Sequence, residues 1–274
     1  MKMPINQFKR SLLAGKPQIG IWSTLPYPLV SELIAGAGYD WVLLDAEHTA
    51  TDVPQMLGQL QGLSSGSPRE GKQASAPVVR PPWNDPVLLK RYLDIGAQNF
   101  LLPFVQSAEE AENAVRSVRY PPHGIRGMGG SVRASNFGRV TDYANLANDQ
   151  ICTLVQVETA EALDQIERIA GIEGVDGIFI GPADLSASLG HVGRPTHPEV
   201  ENLICDAIRR IRRAGKAPGI VVTEEHRARK YLETGALFVA VGIDTVMLRD
   251  SLDATAAKYS LADPASAGVS SSSY

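Results

Sequence analysis

What this chain lacks narrows its function before any motif is read. Its 274 residues hold two cysteines, Cys152 and Cys205, inside apolar segments with no CxxC or ligand-like spacing. That excludes a disulfide scaffold and predicts reduced core thiols in a cytoplasmic protein. There is no basic excess: the net charge is −4 and the pI about 5.8, so no electrostatic footprint points to nucleic acid or an anionic membrane. The densest basic cluster, Arg209, Arg210, Arg212 and Arg213, shares a helical pattern with Ile208 and Ile211 and reads as a solvated or intersubunit face. The N-terminus (Met1-Lys2-Met3-Pro4-Ile5) has no apolar signal core, and no apolar run approaches the roughly 18 residues of a membrane span. No GxGxxG follows the first β-rich run, and there is no P-loop.

What is present is an eightfold alternation of short β-rich runs and longer helical patterns. Strands are expected over 18–24, 40–47, 77–80, 99–105, 152–158, 177–181, 217–222 and 237–242. Most are near-continuous Val, Ile, Leu and Phe, the pattern of parallel strands covered by helices on one face and a barrel interior on the other. Helical periodicity is clear over 108–118 and over 159–169, where Ala162, Ile166 and Ile169 share a face. Eight such units predict the α/β class: one (β/α)8 TIM barrel over 1–262, in preference to an open doubly wound sheet. The polar stretch 64–76 is expected to be a tolerated insertion on the face opposite catalysis, and the Ser-rich tail 263–274 to be disordered. The Gly- and Arg-rich stretch 121–140 is too long for a plain connector and is expected to make subunit contacts or reach a neighbouring site.

Catalysis in such barrels sits at the C-terminal strand ends. The fifth strand delivers Gln156 and Glu158, the sixth the turn Gly181-Pro182-Ala183-Asp184, the second Asp45, Glu47 and His48, and the third Arg80. Glu158 and Asp184 are 26 positions apart, the spacing of one strand-helix-strand unit, and hard divalent cations are held by such oxygen pairs. A helix-capping role for Asp184 is the competing reading, whereas Thr159 is the better cap beside Glu158. His48 has an unperturbed pKa suited to proton transfer, and Arg80 to stabilising a carboxylate or developing oxyanion. None of the lysines (Lys2, Lys9, Lys16, Lys72, Lys90, Lys216, Lys230, Lys258) ends a strand, so a Schiff base is excluded and carbonyl activation falls to a cation.

The stretches WVLLDAEH, VVRPPWNDP, RYPPHGIRG, LVQVET, VDGIFIGPADLSASLG, HPEV, GKAPGI and LFVAVGIDT together resemble the HpcH/HpaI family of class II pyruvate aldolases, over roughly 20–258. The resemblance implies a phosphoenolpyruvate/pyruvate-type barrel that cleaves a 4-hydroxy-2-oxo acid to pyruvate and an aldehyde with Mg²⁺ or Mn²⁺, Co²⁺ and Zn²⁺ being alternatives. It implies His48 as base, Arg80 as oxyanion stabiliser, Glu158 and Asp184 as metal ligands and Gln156 as a substrate contact. It also implies that the turn Gly181-Pro182-Ala183-Asp184 holds the pyruvate carboxylate and that Asp94 orients His48. A homohexamer, a trimer of dimers that exchange their last helix, is the implied assembly. The alternative within the same chemistry is decarboxylation of oxaloacetate, as in enzymes resembling macrophomate synthase.

Overall fold

Eight parallel strands close on themselves in chain order, β8 returning to β1. They are β1 Gln18–Ser23, β2 Trp41–Asp45, β3 Ala76–Arg80, β4 Asn99–Leu102, β5 Cys152–Val157, β6 Gly177–Ile180, β7 Ala217–Val221 and β8 Phe238–Ile243. The helices, in order, are α1 Gln7–Leu13, α2 Pro28–Ala35, α3 Val53–Ser65, α4 Pro86–Asp94, α5 Ala108–Val118 and α6 Tyr143–Gln150. They continue as α7 Ala160–Asp164, α8 Ile166–Ala170, α9 Pro182–Ser188, α10 Pro198–Arg213, α11 Glu225–Thr234 and α12 Asp244–Tyr259. The computed structural model describes residues 1–71 and 73–259, so the tail expectation and one position of the 64–76 stretch fall outside it. Among the described residues no helix is long and apolar enough to cross a membrane.

Two apolar layers follow from strand alternation. One set of side chains points outward under the helices, including Val42, Leu44, Val79, Phe100, Val155 and Ile178. The other fills the barrel, with Trp41, Leu43, Val78, Leu154, Phe179 and Phe238. Large rings inside demand small partners. A methyl on Gly20 would lie 2.2 Å from the Trp41 indole, and one on Gly219 would lie 2.2 Å from the Phe238 ring. Helix α1 closes the N-terminal end: buried Phe8 and Leu12 join the inner layer, with Phe8 6.0 Å from Trp41 and 6.3 Å from Phe238.

Three local expectations change. Strands β2 and β4 stop short of the predicted ends, leaving 46–47 and 103–105 outside them, although Ala46 and Val105 remain buried. The 159–169 helix is broken at Gln165 into α7 and α8. Thr159 caps α7 by accepting from the Ala162 N–H, and the break buries Leu163 while Ala162, Ile166 and Ile169 still face the core. Asp184 is not the cap of α9: Gly181 is, and Asp184 lies exposed in the first turn.

Candidate active site

The C-terminal ends of β1 to β6 build a polar mouth over the apolar barrel. Asp45 ends β2 and Arg80 ends β3, in register with each other. Their side chains form a bidentate pair, Nε to Oδ1 at 2.9 Å and Nη2 to Oδ2 at 2.7 Å. Arg80 stacks 4.6 Å above the Trp22 ring, and the Glu47 N–H donates to Asp45 Oδ1. Burial works to raise the Asp45 pKa, but the hydrogen bonds and charge of Arg80 outweigh it and hold the carboxyl below the usual range. The guanidinium is thus locked in place by an acid that stays ionised.

Glu47 has the same strand parity as Asp45 and returns to the same cation. Its Oε2 lies 2.7 Å from Arg80 Nη1 but off the N–H direction, an ion contact without a hydrogen bond. Burial raises the Glu47 pKa against the pull of Arg80 and His48, with Asp45 and Asp184 adding to the rise.

Glu158, just past β5, is 2% exposed. Its Oε1 accepts from the Phe104 N–H at 3.0 Å and its Oε2 from Gln156 Nε2 at 2.5 Å. Phe104 can aim its N–H there because it holds the left-handed conformation, φ 52°, directly after β4. Gly181 lies flat against the same carboxylate: a methyl there would sit 2.5 Å from Glu158 Oε2 and 3.2 Å from Gln156 Nε2. Burial, with Asp184 and Glu47 nearby, pushes the Glu158 pKa up to about 7, against the lowering effect of Gln156 and Phe104. Gln156 Oε1 is a buried acceptor with no partner among the described residues.

A raised carboxyl makes a definite demand on stability. The folded cation-free protein holds the Glu158 proton more tightly than the unfolded chain, so the contribution is full below pH 4.5 and lost as pH rises through about 7. Its size is on the order of 3 kcal/mol. Urea unfolding of chelator-treated protein should therefore show wild type losing stability relative to Glu158→Gln between pH 5 and 8. Parallel pH profiles for the two proteins would refute this.

The structure gathers Arg80, Gln156, Glu158 and the turn Gly181-Pro182-Ala183-Asp184 at one end. His48 reaches only the rim, its side chain 68% exposed and its Nε2 3.8 Å from Glu47 Oε2. Asp94 is elsewhere. It is the last residue of α4, which runs back from the mouth, so it lies at the opposite end of the barrel and contacts Arg126 Nη2 at 3.1 Å. Asp244 is occupied structurally, accepting from Ser23, Thr24 and Leu25 and so stitching β8 to β1. Reading strand ends alone left the roles of Asp45 and Glu47 undefined; their alternate spacing beside an arginine strand was the available signal. Nothing in the sequence announces the Phe104 N–H.

The donor set suits a hard cation. Glu158 and Asp184 offer only oxygen, and crowded carboxylates that resist ionising together are relieved by a divalent charge. Among the described residues, the group of three with ligand atoms within 4.8 Å is His191, His197 and Glu199. There the imidazoles stack 3.6 Å apart at 18°, His191 Nε2 lies 2.8 Å from Glu199 Oε2, and His197 Nδ1 accepts from the Glu199 N–H.

The HpcH/HpaI aldolase/citrate lyase family profile matches residues 18–251. The chain belongs to that family. It is 55% identical to the 4-hydroxy-2-oxo-heptane-1,7-dioate aldolase of Klebsiella pneumoniae over 93% of this chain and 94% of that protein. The Escherichia coli protein of the same name is 52% identical over 93% and 95%. Among solved structures, an HpcH/HpaI aldolase/citrate lyase family protein from Burkholderia cenocepacia superposes with a TM-score of 0.87 at 39% identity, over 93% of this chain and all of that one. Relatives at this identity are named aldolases, and the chain is accordingly an aldolase, a carbon–carbon lyase of the HpcH/HpaI family.

Proposed function

We propose that this HpcH/HpaI aldolase reversibly cleaves a 4-hydroxy-2-oxo acid to pyruvate and an aldehyde, with Mg²⁺ or Mn²⁺ held by Glu158 and Asp184. The observation that carries the reading is the Glu158 cradle: a carboxyl 2% exposed, its two oxygens accepting from the Phe104 N–H and from Gln156 Nε2, with the Gly181 turn that leads to Asp184 packed against it. Burial, with Asp184 and Glu47 nearby, raises its pKa to about 7, and a divalent cation would favour the ionised form. An ion held by Glu158 and Asp184 would supply Lewis-acid charge to the 2-oxo acid.

The chain's own residues do the rest. The first-turn amides of α9, at Ala183 and Asp184, have no helical acceptor and bind the substrate carboxylate, with Gly181 and Pro182 fixing the turn. Arg80, clamped by Asp45, places fixed positive charge beside the oxygen that becomes negative as the C3–C4 bond breaks. Gln156 offers its free Oε1 to a substrate hydroxyl. His48 takes the C4 hydroxyl proton, directly or through water, from the rim. The same enolate chemistry starting from oxaloacetate is the second outcome to be measured.

Assembly completes the site. Asp94 cannot reach the His48 of its own chain, so any pairing of the two joins separate copies. Helix α12 supports a homo-oligomer in which last helices are exchanged: it leaves Met247, Leu248 and Leu252 exposed. An open groove of about 450 Å³ on the outside of the barrel, with Ile19, Ala228, Leu232 and Val241 as its apolar lining and Glu225 and Arg229 beside them, offers a seat for that helix. The family resemblance extends that pairing to a hexamer, a trimer of dimers. The buried thiols Cys152 and Cys205 suit the reducing cytoplasm. Paired Leu248→Asp and Leu252→Asp replacements should give a smaller species in sedimentation velocity, and an unchanged mass would rule out the exchange.

The direct test is pyruvate release with Mg²⁺ or Mn²⁺ over a panel of 4-hydroxy-2-oxo acids, the 1,7-dioate among them, plus oxaloacetate. Cleavage of at least one hydroxy-oxo acid is expected. Loss of CO₂ from oxaloacetate without any aldol cleavage would transfer the assignment to decarboxylation.

A further inference from the structure

The long connection between α5 and α6, which the proposed chemistry leaves unused, wraps the end of α4. Within it Arg126 is wholly buried, its guanidinium 4.2 Å over the Tyr120 ring and 5.9 Å from that of Tyr143. Nη2 contacts Asp94 Oδ1 at 3.1 Å, while Nε and Nη1 have no hydrogen-bond partner among the described residues. A buried guanidinium this poorly bonded is expensive, so its one carboxylate contact calls for a reason. Anchoring the loop does not supply it. Backbone bonds from Ile125 to Arg116 and from Arg126 to Arg119, and Arg133 Nη1 on the Ile95 carbonyl at 2.5 Å, already tie the segment to α5 and α4.

What the guanidinium alone does is fix Asp94. That carboxylate keeps 26% of its side chain exposed, and its Oδ2 has no hydrogen-bond partner among the described residues. Gly129 passes beside it; a methyl there would be 3.9 Å from Oδ2, so the outward oxygen is flanked closely but not covered. One oxygen is gripped from inside and the other is presented outward.

We propose that Arg126 is a positioning residue: it clamps Asp94 Oδ1 so that Oδ2 meets the imidazole of His48 in a neighbouring copy of the chain. This rests on the reading above that Asp94 and His48 work across copies. The Tyr120 ring lies under the guanidinium at 4.2 Å and backs the contact. Tilting the carboxylate by the width of a lost contact should then reduce the proton-transfer step rather than substrate binding.

The experiment co-expresses pairs of variants, so that mixed assemblies form, and reads kcat and KM. Alone, Arg126→Met should lower kcat about a hundredfold, the scale of a misplaced catalytic group, with KM for the hydroxy-oxo acid unchanged. Combined with Asp94→Asn it should lower kcat no further than Asp94→Asn does by itself. Co-expressed with His48→Ala, it should recover roughly a quarter of wild-type activity, because random assortment across a symmetric interface unites an intact His48 with an intact neighbour at that frequency. Asp94→Asn with His48→Ala is the control for the underlying reading. If that control pair does not recover, pairing across copies is wrong. If it recovers while the Arg126→Met pair does not, or if Arg126→Met alone is fully active, the clamp is wrong and the pairing stands. Should Arg126→Met fail to fold, Arg126→Lys carries the same comparison, recovery supporting the clamp and its absence overturning it.

Discussion

Glu158→Gln is expected to lower kcat about a thousandfold, the scale of losing one preorganised electrostatic group plus a Lewis acid. The fold should survive, with a melting temperature equal to or above that of wild type near pH 8. The reason lies in the cradle. Glu158 is buried, its carboxyl is raised to about 7, and ionising it without a cation is unfavourable. A neutral amide of the same shape removes that penalty. It can still accept from the Phe104 N–H, and Gln156, whose Oε1 lacks a partner, can rotate its amide to accept from the new NH₂. A chelator should reproduce the loss in wild type, and added Mn²⁺ should restore wild type but not the variant. Near-normal turnover by Glu158→Gln, or an early unfolding transition, would remove the foundation of the cation site.

Asp45→Ala is expected to act in the opposite sense on stability. Removing one member of a buried bidentate pair leaves Arg80 with Glu47 alone, off the hydrogen-bonding direction, and the penalty should be about 3–5 kcal/mol in urea unfolding. Activity should fall too, because the guanidinium loses the partner that aims it. Asp45→Asn keeps an acceptor and should fall between the two. A change below about 1 kcal/mol for the alanine variant would mean that Arg80 finds another seat within the mouth.

The barrel was legible because parallel strands buried on both faces must be written as unbroken apolar runs, and eight such runs appear in order. Their C-terminal limits were less so: Ala46, Pro103 and Val105 continue the apolar pattern after the ladder has closed, and side-chain burial does not reveal where backbone pairing stops. The inner plug at Phe8 and Leu12 is a single helical pair, too short a pattern to declare its place. In the mouth, Glu158, Asp184 and Arg80 could be read from strand ends, since topology alone assigns those positions to one face. Asp94 could not. It ends a helix, and a helix end in this fold belongs to the far side, where only the family resemblance drew attention to it.

Gly181 carries a consequence for how such a scaffold diversifies. With no room for even one methyl between the turn and Glu158, the wall proposed to hold the pyruvate half of the substrate admits no tailoring. Freedom lies instead on the lip, where Trp83 and Phe104, 55% and 44% exposed, bring their rings within 5.9 Å. Libraries that vary those two aromatics, keeping the Phe104 main chain, are the place to seek altered aldehyde preference with the acidic centre untouched.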